Sequence, residues 1–295
     1  MLADAQVTSA GVAAPTMGYV FDGQAKVLRP IEGVPGAAVT GGAMRLFIDT
    51  TSDSLAAAAI DPARRYAIVL REGAGAMNVA NLNGSVGAAQ PVELPSGDVY
   101  FSPSGDAVAI VAAGKVSVYT GLPLRAALLQ VGTTEDLTNV KKILVSDDGG
   151  GLVALAGDGL YVLSTEGPAL LAAGYRDAAF RPRSHDLLAL VEERLDVFSK
   201  LSSDPVPFAK FAPRAARAFA LSADERTVAI LNADDTVTIL DRDNNLESSI
   251  NVADAEAAGI RRSFGNAVFQ LRDLWFVDAG GATPNVFRAQ EGGVE

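Results

Sequence analysis

The chain of 295 residues is 49% hydrophobic and 20% charged, with a formal net charge of −11 and a pI near 4.6. That balance is too apolar for a disordered chain and too acidic to favour nucleic acid or anionic lipid surfaces. Cysteine is absent, which excludes disulfides, thiolate metal sites and a cysteine nucleophile.

Taken from the N-terminus, residues 1–16 read as a disordered tail or as the remnant of a signal peptide. Ala3 and Ala5 stand before Gln6 at the small-x-small spacing that precedes a signal-peptidase cut. The export reading implies a periplasmic or extracellular protein; the alternative is a cytoplasmic one with an Ala-rich start. Between residues 17 and 54, the runs Tyr19-Val20-Phe21-Asp22, Lys26-Val27-Leu28-Arg29 and Arg45-Leu46-Phe47-Ile48 offer three or four short strands.

From residue 55 one pattern recurs: an apolar strand ends in a Ser, Asp or Pro turn, and a second apolar strand follows at once. Ile60-Asp61-Pro62 leads into Tyr66 to Leu70, and Phe101-Ser102-Pro103-Ser104-Gly105 leads into Ala107 to Val111. Val145-Ser146-Asp147-Asp148-Gly149 precedes Leu152 to Leu155, Phe180-Arg181-Pro182 precedes Leu187 to Leu190, and Leu221-Ser222-Ala223-Asp224-Glu225 precedes Val228 to Leu231. A decayed sixth copy runs from Ile260 to Leu271. The first five anchors lie 41, 44, 35 and 41 residues apart, the period of a four-stranded propeller blade.

A second turn and a third, alternating strand follow most anchors, as at Gly114 then Val116 and Val118, or Gly157-Asp158-Gly159 then Tyr161 and Leu163. Such Gly and Asp-Gly turns supply the positive φ of tight hairpins. A weaker fourth strand closes each unit, at Val92 to Leu94, Ala127 to Leu129, Ala169 to Leu171, Val206 to Phe208 and Asn285 to Phe287. Helical spacing is nearly absent, and Ala in the inner strands suits close packing around an axis.

The reading is therefore an all-β chain forming one β-propeller over residues 17–291, with residues 292–295 a disordered C-terminus. Six units cover residues 55 to 291, and residues 17 to 54 are read as a seventh, irregular blade. Seven four-stranded antiparallel blades are expected; six, with an N-terminal strand closing the last sheet, is the alternative.

The hairpins at Phe101-Ser102-Pro103-Ser104-Gly105 and Leu221-Ser222-Ala223-Asp224-Glu225, the latter followed by Thr236-Val237-Thr238-Ile239-Leu240-Asp241, resemble bacterial WD40-like and YVTN-type propeller repeats. The resemblance covers about residues 55 to 245. It implies the architecture and leaves the activity open, because such propellers serve many unrelated roles. No Trp-Asp pair ends the third strands, so the buried network shared by many WD40 blades is missing.

The chemistry-bearing residues give one candidate site. Asp98, Lys141, Lys142, Arg176, Asp177, Arg217, Arg261 and Arg262 precede or open the innermost strands, whose starts converge at one mouth of a propeller channel. Such a ring either holds a small anionic ligand or closes on itself as compensated ion pairs. No catalytic residue is assigned: His185, the only histidine, stands between Ser184 and Asp186, and three consecutive residues cannot converge on one reacting atom.

No metal or cofactor is expected. Asp241 to Glu247 opens like a calcium loop, but Leu246 replaces the required Gly and Val252 the closing Glu. Asp147-Asp148, Glu192-Glu193 and Asp224-Glu225 read as a hydrated rim, and Trp275 as packing between blades.

Two functions compete. The first is a noncatalytic binding or scaffold propeller with a protein partner. The second is a lactonase-like hydrolase or anion receptor, with Arg176, Arg217 and Arg261 on an anion and Asp98 or Asp177 acting on water. Neither nucleic acid nor a membrane span is expected.

Overall fold

A computed structural model describes residues 16–33, 39–47, 54–82, 92–157, 159–211, 215–221, 225, 227–234, 236–241, 246–251, 260–261, 267–270, 274–278 and 285–288; of residues 17, 227 and 241 onward it describes the backbone alone. Within these residues the protein is a β-propeller of small antiparallel sheets, each strand paired with the next in sequence.

The N-terminal sheet holds β1 (Thr16–Asp22), β2 (Val27–Glu32) and β3 (Val39–Thr40). Six four-stranded blades follow. Blade 1 is β4 (Leu55–Ile60), β5 (Tyr66–Arg71), β6 (Ala76–Asn81) and β7 (Glu93–Pro95). Blade 2 is β8 (Asp98–Phe101), β9 (Ala107–Ala112), β10 (Lys115–Thr120) and β11 (Ala127–Thr133). Blade 3 is β12 (Lys142–Val145), β13 (Leu152–Ala156), β14 (Gly159–Ser164) and β15 (Gly167–Ala173). Blade 4 is β16 (Asp177–Phe180), β17 (Leu187–Val191), β18 (Arg194–Phe198) and β19 (Val206–Lys210). Blade 5 is β20 (Ala216–Leu221), β21 (Thr227–Asn232), β22 (Thr236–Asp241) and β23 (Leu246–Asn251). Blade 6 is β24 (Ile260–Arg261), β25 (Ala267–Gln270), β26 (Leu274–Asp278) and β27 (Asn285–Arg288).

The expectation of seven four-stranded blades is corrected to six. The N-terminal segment makes three strands, the last only two residues long, and none of them joins the sheet of blade 6. The physical reason is local. Gly33, Gly41 and Gly42 interrupt the apolar pattern on either side of Val39 and Thr40, and such residues end strands rather than extend them. Of the expected tail, residues 1–16, Thr16 opens β1 and residues 1–15 lie outside the described residues, as do the expected C-terminal residues 292–295. Helix is confined, among the described residues, to one short turn at Ser199–Leu201.

The first hairpin of every blade keeps one register. Ile60 pairs with Ala67, Phe101 with Val108, Val145 with Leu152, Phe180 with Leu187, Leu221 with Val228 and Arg261 with Val268. Each pair therefore encloses a turn of the same length. Innermost strands of consecutive blades neighbour one another, β8 with β12, β12 with β16, β16 with β20 and β20 with β24.

Alternate side chains of the strands face neighbouring sheets and bury there. Leu144, Val153 and Leu155 of blade 3 pack on Phe180, Leu187 and Phe198 of blade 4, while Leu188, Leu190 and Leu195 of blade 4 pack on Phe219, Val228 and Ile230 of blade 5. Equivalent clusters join blades 2 and 3, blades 1 and 2, and the N-terminal sheet and blade 1. A four-stranded sheet that is apolar on both faces needs a packed layer against each of them. The stack supplies both of its buried faces.

Candidate functional site

Two ends of the inner hairpins carry the polar chemistry. At the turn end, the residue after each anchor is small and buried in the first three blades: Asp61, Ser102 and Ser146 are at most 1% exposed. Their side chains close their own turns, Asp61 by accepting the Arg65 amide at 3.0 Å, Ser102 the Ala107 amide at 3.1 Å and Ser146 the Gly151 amide at 2.7 Å. This satisfies amides that the turn would otherwise leave unpaired.

The turns then join across blades. Arg65 of blade 1 bonds its own Asp61 at 2.9 Å, and reaches Asp106 at 2.7 Å and the Ser104 carbonyl at 2.9 Å in blade 2. The Tyr66 hydroxyl donates to the Gly105 carbonyl at 2.8 Å. Hydrogen bonding to Asp61 raises the Arg65 guanidinium further above its ordinary value, against the opposing effect of burial. Asp147 of blade 3 accepts the Ser104 amide at 2.7 Å and the Ser104 hydroxyl at 2.8 Å from blade 2, and the Arg183 amide at 2.6 Å from blade 4. Arg181 of blade 4 pairs with Glu225 of blade 5, its Nε 3.1 Å from the carboxylate. A continuous polar girdle therefore runs through five blades.

The girdle corrects two readings. Asp147 and Glu225 are not hydrated rim residues, since each holds a neighbouring blade; Asp224 lies outside the described residues. Glu192 and Glu193 are exposed as expected. Ser146, Asp148 and His185 meet across blades 3 and 4, but not as a nucleophile and its base. The Ser146 hydroxyl donates to Asp148 at 2.7 Å, and His185 touches the other oxygen of Asp148. Ser146 is fully buried, so no substrate atom can reach it, and a catalytic serine needs the histidine as its direct partner. Burial works to raise the Asp148 carboxyl, but bonds from Ser146, the Gly150 amide and His185 outweigh it and hold the group below its ordinary value.

At the opposite end the expected channel-mouth residues separate by register. Asp98, Lys142 and Asp177 occupy one equivalent position, opposite Val111, Leu155 and Leu190. Lys141 and Arg176 each precede this position by one residue, as does Arg217 beside the bulge that separates Ala216 from Ala218. Asp98, Lys141, Arg176 and Arg217 are exposed. Arg261 belongs elsewhere. Its pairing with Val268 places it at the turn end of β24, opposite in direction to Lys141, Arg176 and Arg217. Arg262 lies outside the described residues.

Lys142 and Asp177 form a clasp across three blades. The Lys142 ammonium lies 2.7 Å from one Asp177 oxygen and 3.0 Å from the Ala178 carbonyl. Asp177, 6% exposed, also accepts the Ala178 amide at 2.8 Å and the Phe219 amide of blade 5 at 3.0 Å. Arg176 donates to the Ala216 carbonyl at 3.3 Å, and Arg217 to that of Ala233. Three of the eight expected residues, Lys142, Asp177 and Arg176, thus tie blades together, Arg217 bonds within its own blade, and Lys141, Arg176 and Arg217 stand exposed in one register row.

Blade 4 holds a further buried pair that the sequence did not reveal. The Tyr175 hydroxyl donates to Asp196 at 2.9 Å, and Arg194 bonds the same carboxylate at 2.9 Å. Burial, the bond to Asp196 and its negative charge push the Tyr175 phenol up to about 12. A raised phenol favours the neutral folded form, so the stability it contributes is complete below an unfolded value of about 10 and is lost as pH climbs through about 12. We expect the melting temperature to fall across that alkaline window, and Tyr175→Phe to flatten the fall; an unchanged slope in the variant refutes the coupling. Tyr66, Tyr100 and Tyr19, raised in the same direction by burial, contribute to the residual slope.

The coordinating chemistry is sparse. Among the described residues no group of three or more His, Asp or Glu side chains is placed to hold a metal ion, and no helix is long and apolar enough to cross a membrane. Asp241 and Leu246 face each other across the β22–β23 hairpin, with the intervening residues of the rejected calcium loop outside the described residues. Trp275 lies on β26 opposite Phe269 and Arg288. Comparison with known protein families and with curated proteins finds no match.

Proposed function

We propose that the protein is a noncatalytic β-propeller that binds a protein partner. The observation that carries this reading is the engagement of its chemistry-bearing groups in fixing blade to blade: Asp177 with Lys142, Asp147 with Ser104 and Arg183, and Arg181 with Glu225. Groups spent on interblade contacts make a rigid platform, and rigid platforms present surfaces for recognition. The bacterial WD40-like or YVTN-type repeat and an exported location belong to the same reading.

A photocrosslinking amino acid placed singly at exposed positions around the blades, in the native host, tests it. Protein adducts at a contiguous set of positions are expected. Their absence at every position defeats the proposal. The second reading, a small-anion receptor or lactonase-like hydrolase, rests on the register row of Lys141, Arg176 and Arg217. It predicts that phosphate or a dicarboxylate raises the melting temperature of the wild type and not of the Lys141→Ala/Arg176→Ala/Arg217→Ala variant; equal responses eliminate it.

A further inference from the structure

Blades 1 to 4 each turn one apolar side chain, at the mouth end of the second strand, toward the next blade: Leu70 toward blade 2, Val111 toward blade 3, Leu155 toward blade 4 and Leu190 toward blade 5. Register makes the four positions equivalent, since they stand opposite Ala57, Asp98, Lys142 and Asp177 on the inner strands. Their burial is not equivalent. Leu155 is 2% and Leu190 0% exposed, whereas Leu70 and Val111 are half-buried. The inner strands repeat the division: Ala56, Ala57 and Asp98 are exposed, while Ile143 to Val145 and Asp177 to Phe180 are buried. The mouth end is therefore sealed from blade 3 to blade 5, where Lys142 and Asp177 also form their clasp, and unsealed at blades 1 and 2.

The seam between blades 1 and 2 is the looser of the two unsealed ones. β8 lies along β12, which keeps blade 2 on blade 3 at the axis, but β4 has its neighbours in β1 and β2 of the N-terminal sheet. Blade 1 is fastened to that sheet as well. The Leu55 amide donates to the Lys26 carbonyl at 2.8 Å, the Tyr19 hydroxyl donates to the Leu82 carbonyl at 3.3 Å, and Lys26 pairs with Glu72. What joins blade 1 to blade 2 lies toward the turn end: Arg65 on Asp106 and Ser104, Tyr66 on Gly105, and the buried packing of Tyr66 and Ile68 on Val108 and Ile110. A leucine already half in water loses less on separation than a fully covered one, because less apolar area returns to solvent. A body fastened at one end and open at the other has the form of a hinge.

We infer that the seam between blades 1 and 2 is a gate: the N-terminal sheet and blade 1 rock as one body against blades 2 to 5, pivoting on the joint of Arg65 and Tyr66 and parting at the mouth end. The mouth then has one fixed wall, blades 3 to 5, and one that moves. The gate depends on neither functional reading, and it confines the rigid platform to blades 2 to 5.

Because the chain has no cysteine, pairs of introduced cysteines carry spin labels at chosen sites only, and pulsed electron paramagnetic resonance then reads the distance distribution across each pair. Gln24, Gly75, Lys115, Gly157 and Glu193 are exposed at the mouth end of the N-terminal sheet and of blades 1 to 4 in turn, and Ala63 and Gly150 are exposed at the turn end of blades 1 and 3. The distribution between positions 75 and 115 is expected to be at least about twice as broad as those of the pairs 24 and 75, 115 and 157, and 157 and 193, with the turn-end pair 63 and 150 narrow. Arg65→Met is expected to broaden the turn-end pair and to leave 157 and 193 unchanged. Unchanged melting temperatures establish that the variants are folded; if Arg65→Met is not, Tyr66→Phe, which removes the bond to the Gly105 carbonyl, takes its place. Equal widths at all mouth-end pairs mean a rigid ring with one side permanently open, and overturn the gate. A broad distribution between 115 and 157 beside a narrow one between 75 and 115 moves the motion to the next seam and overturns it too. So does a broad pair 24 and 75, which assigns the motion to the loop at Gly75, or a turn-end pair already broad in the wild type, which removes the pivot.

Discussion

Gly105→Ala is expected to lower stability by about 2–5 kcal/mol, the combined scale of a left-handed non-glycine residue and an overpacked buried contact. Gly105 has φ +75°, and an added Cβ would lie 1.6 Å from Asp61 Oδ1. Neither Asp61 nor its neighbours can give way freely. Asp61 is 1% exposed, it accepts the Arg65 amide and guanidinium, and Tyr66 is anchored on the Gly105 carbonyl. The added methyl therefore displaces the joint between blades 1 and 2 as well as the turn that carries it. Gly150→Ala in the equivalent turn of blade 3 is the control, since its Cβ would first meet His185 at 3.2 Å, a side chain on the surface. Urea unfolding of the two variants checks the expectation: a large fall in midpoint for Gly105→Ala beside a fall equivalent to less than about 1 kcal/mol for Gly150→Ala. Equal falls would mean that the girdle does not constrain the turn.

Removing the carboxylate at position 177 should be comparably severe. Asp177→Ala takes the Asp177 carboxylate away from the Lys142 ammonium and leaves the Phe219 amide without this acceptor in a buried position. Breaking a buried pair from one side costs about 3–5 kcal/mol. The Lys142 side chain is 29% exposed, so water recovers part of its solvation and about 2–4 kcal/mol is expected. Asp177→Asn retains an acceptor for one amide and should fall between Asp177→Ala and the wild type. Lys142→Met combined with Asp177→Asn should cost less than the two single changes together, because removing both charges spares the unpaired one. A double-mutant cycle by chemical denaturation measures this coupling, and strictly additive changes would show that Lys142 and Asp177 stabilise the blades independently.

Both predictions concern contacts between residues far apart in the chain, and this separates what could be read early from what could not. The repeat was legible because its causes are local. Apolar alternation builds the strands, and Ser, Asp, Pro and Gly at fixed offsets build the turns. The anchors Ile60, Phe101, Val145, Phe180 and Leu221 all keep the same pairing. The sixth copy shows the limit of the pattern: its anchor is Arg261 and not Ile260, and with either anchor Arg261 stands at the turn end of its strand, three or four residues from the channel-mouth position. With the apolar signal weak, nothing local fixed the register.

The candidate site was legible only in part. Charged residues at the starts of inner strands were visible, but their division into the Lys142–Asp177 clasp and the exposed row of Lys141, Arg176 and Arg217 was not. Adjacent positions on a strand point to opposite faces, and which face meets a neighbouring blade depends on the stack. Asp147-Asp148 shows the same effect in two consecutive letters. One carboxylate joins three blades and is 8% exposed, while its neighbour stands at the surface against His185.

Side-chain period and backbone preference act within a few residues, and they were enough to specify an all-β chain of repeated four-stranded units, their turn chemistry and their antiparallel pairing. The stacking of the sheets was needed to fix the number of four-stranded blades at six, to join an arginine, a serine and an aspartate from successive turns into a girdle, and to bury Leu155 and Leu190 while leaving Leu70 and Val111 half-covered. Those outcomes depend on groups 35 to 44 residues apart meeting across blade boundaries, and distance in sequence carries no instruction about which of them will touch. Close packing of one small sheet on the next supplies it.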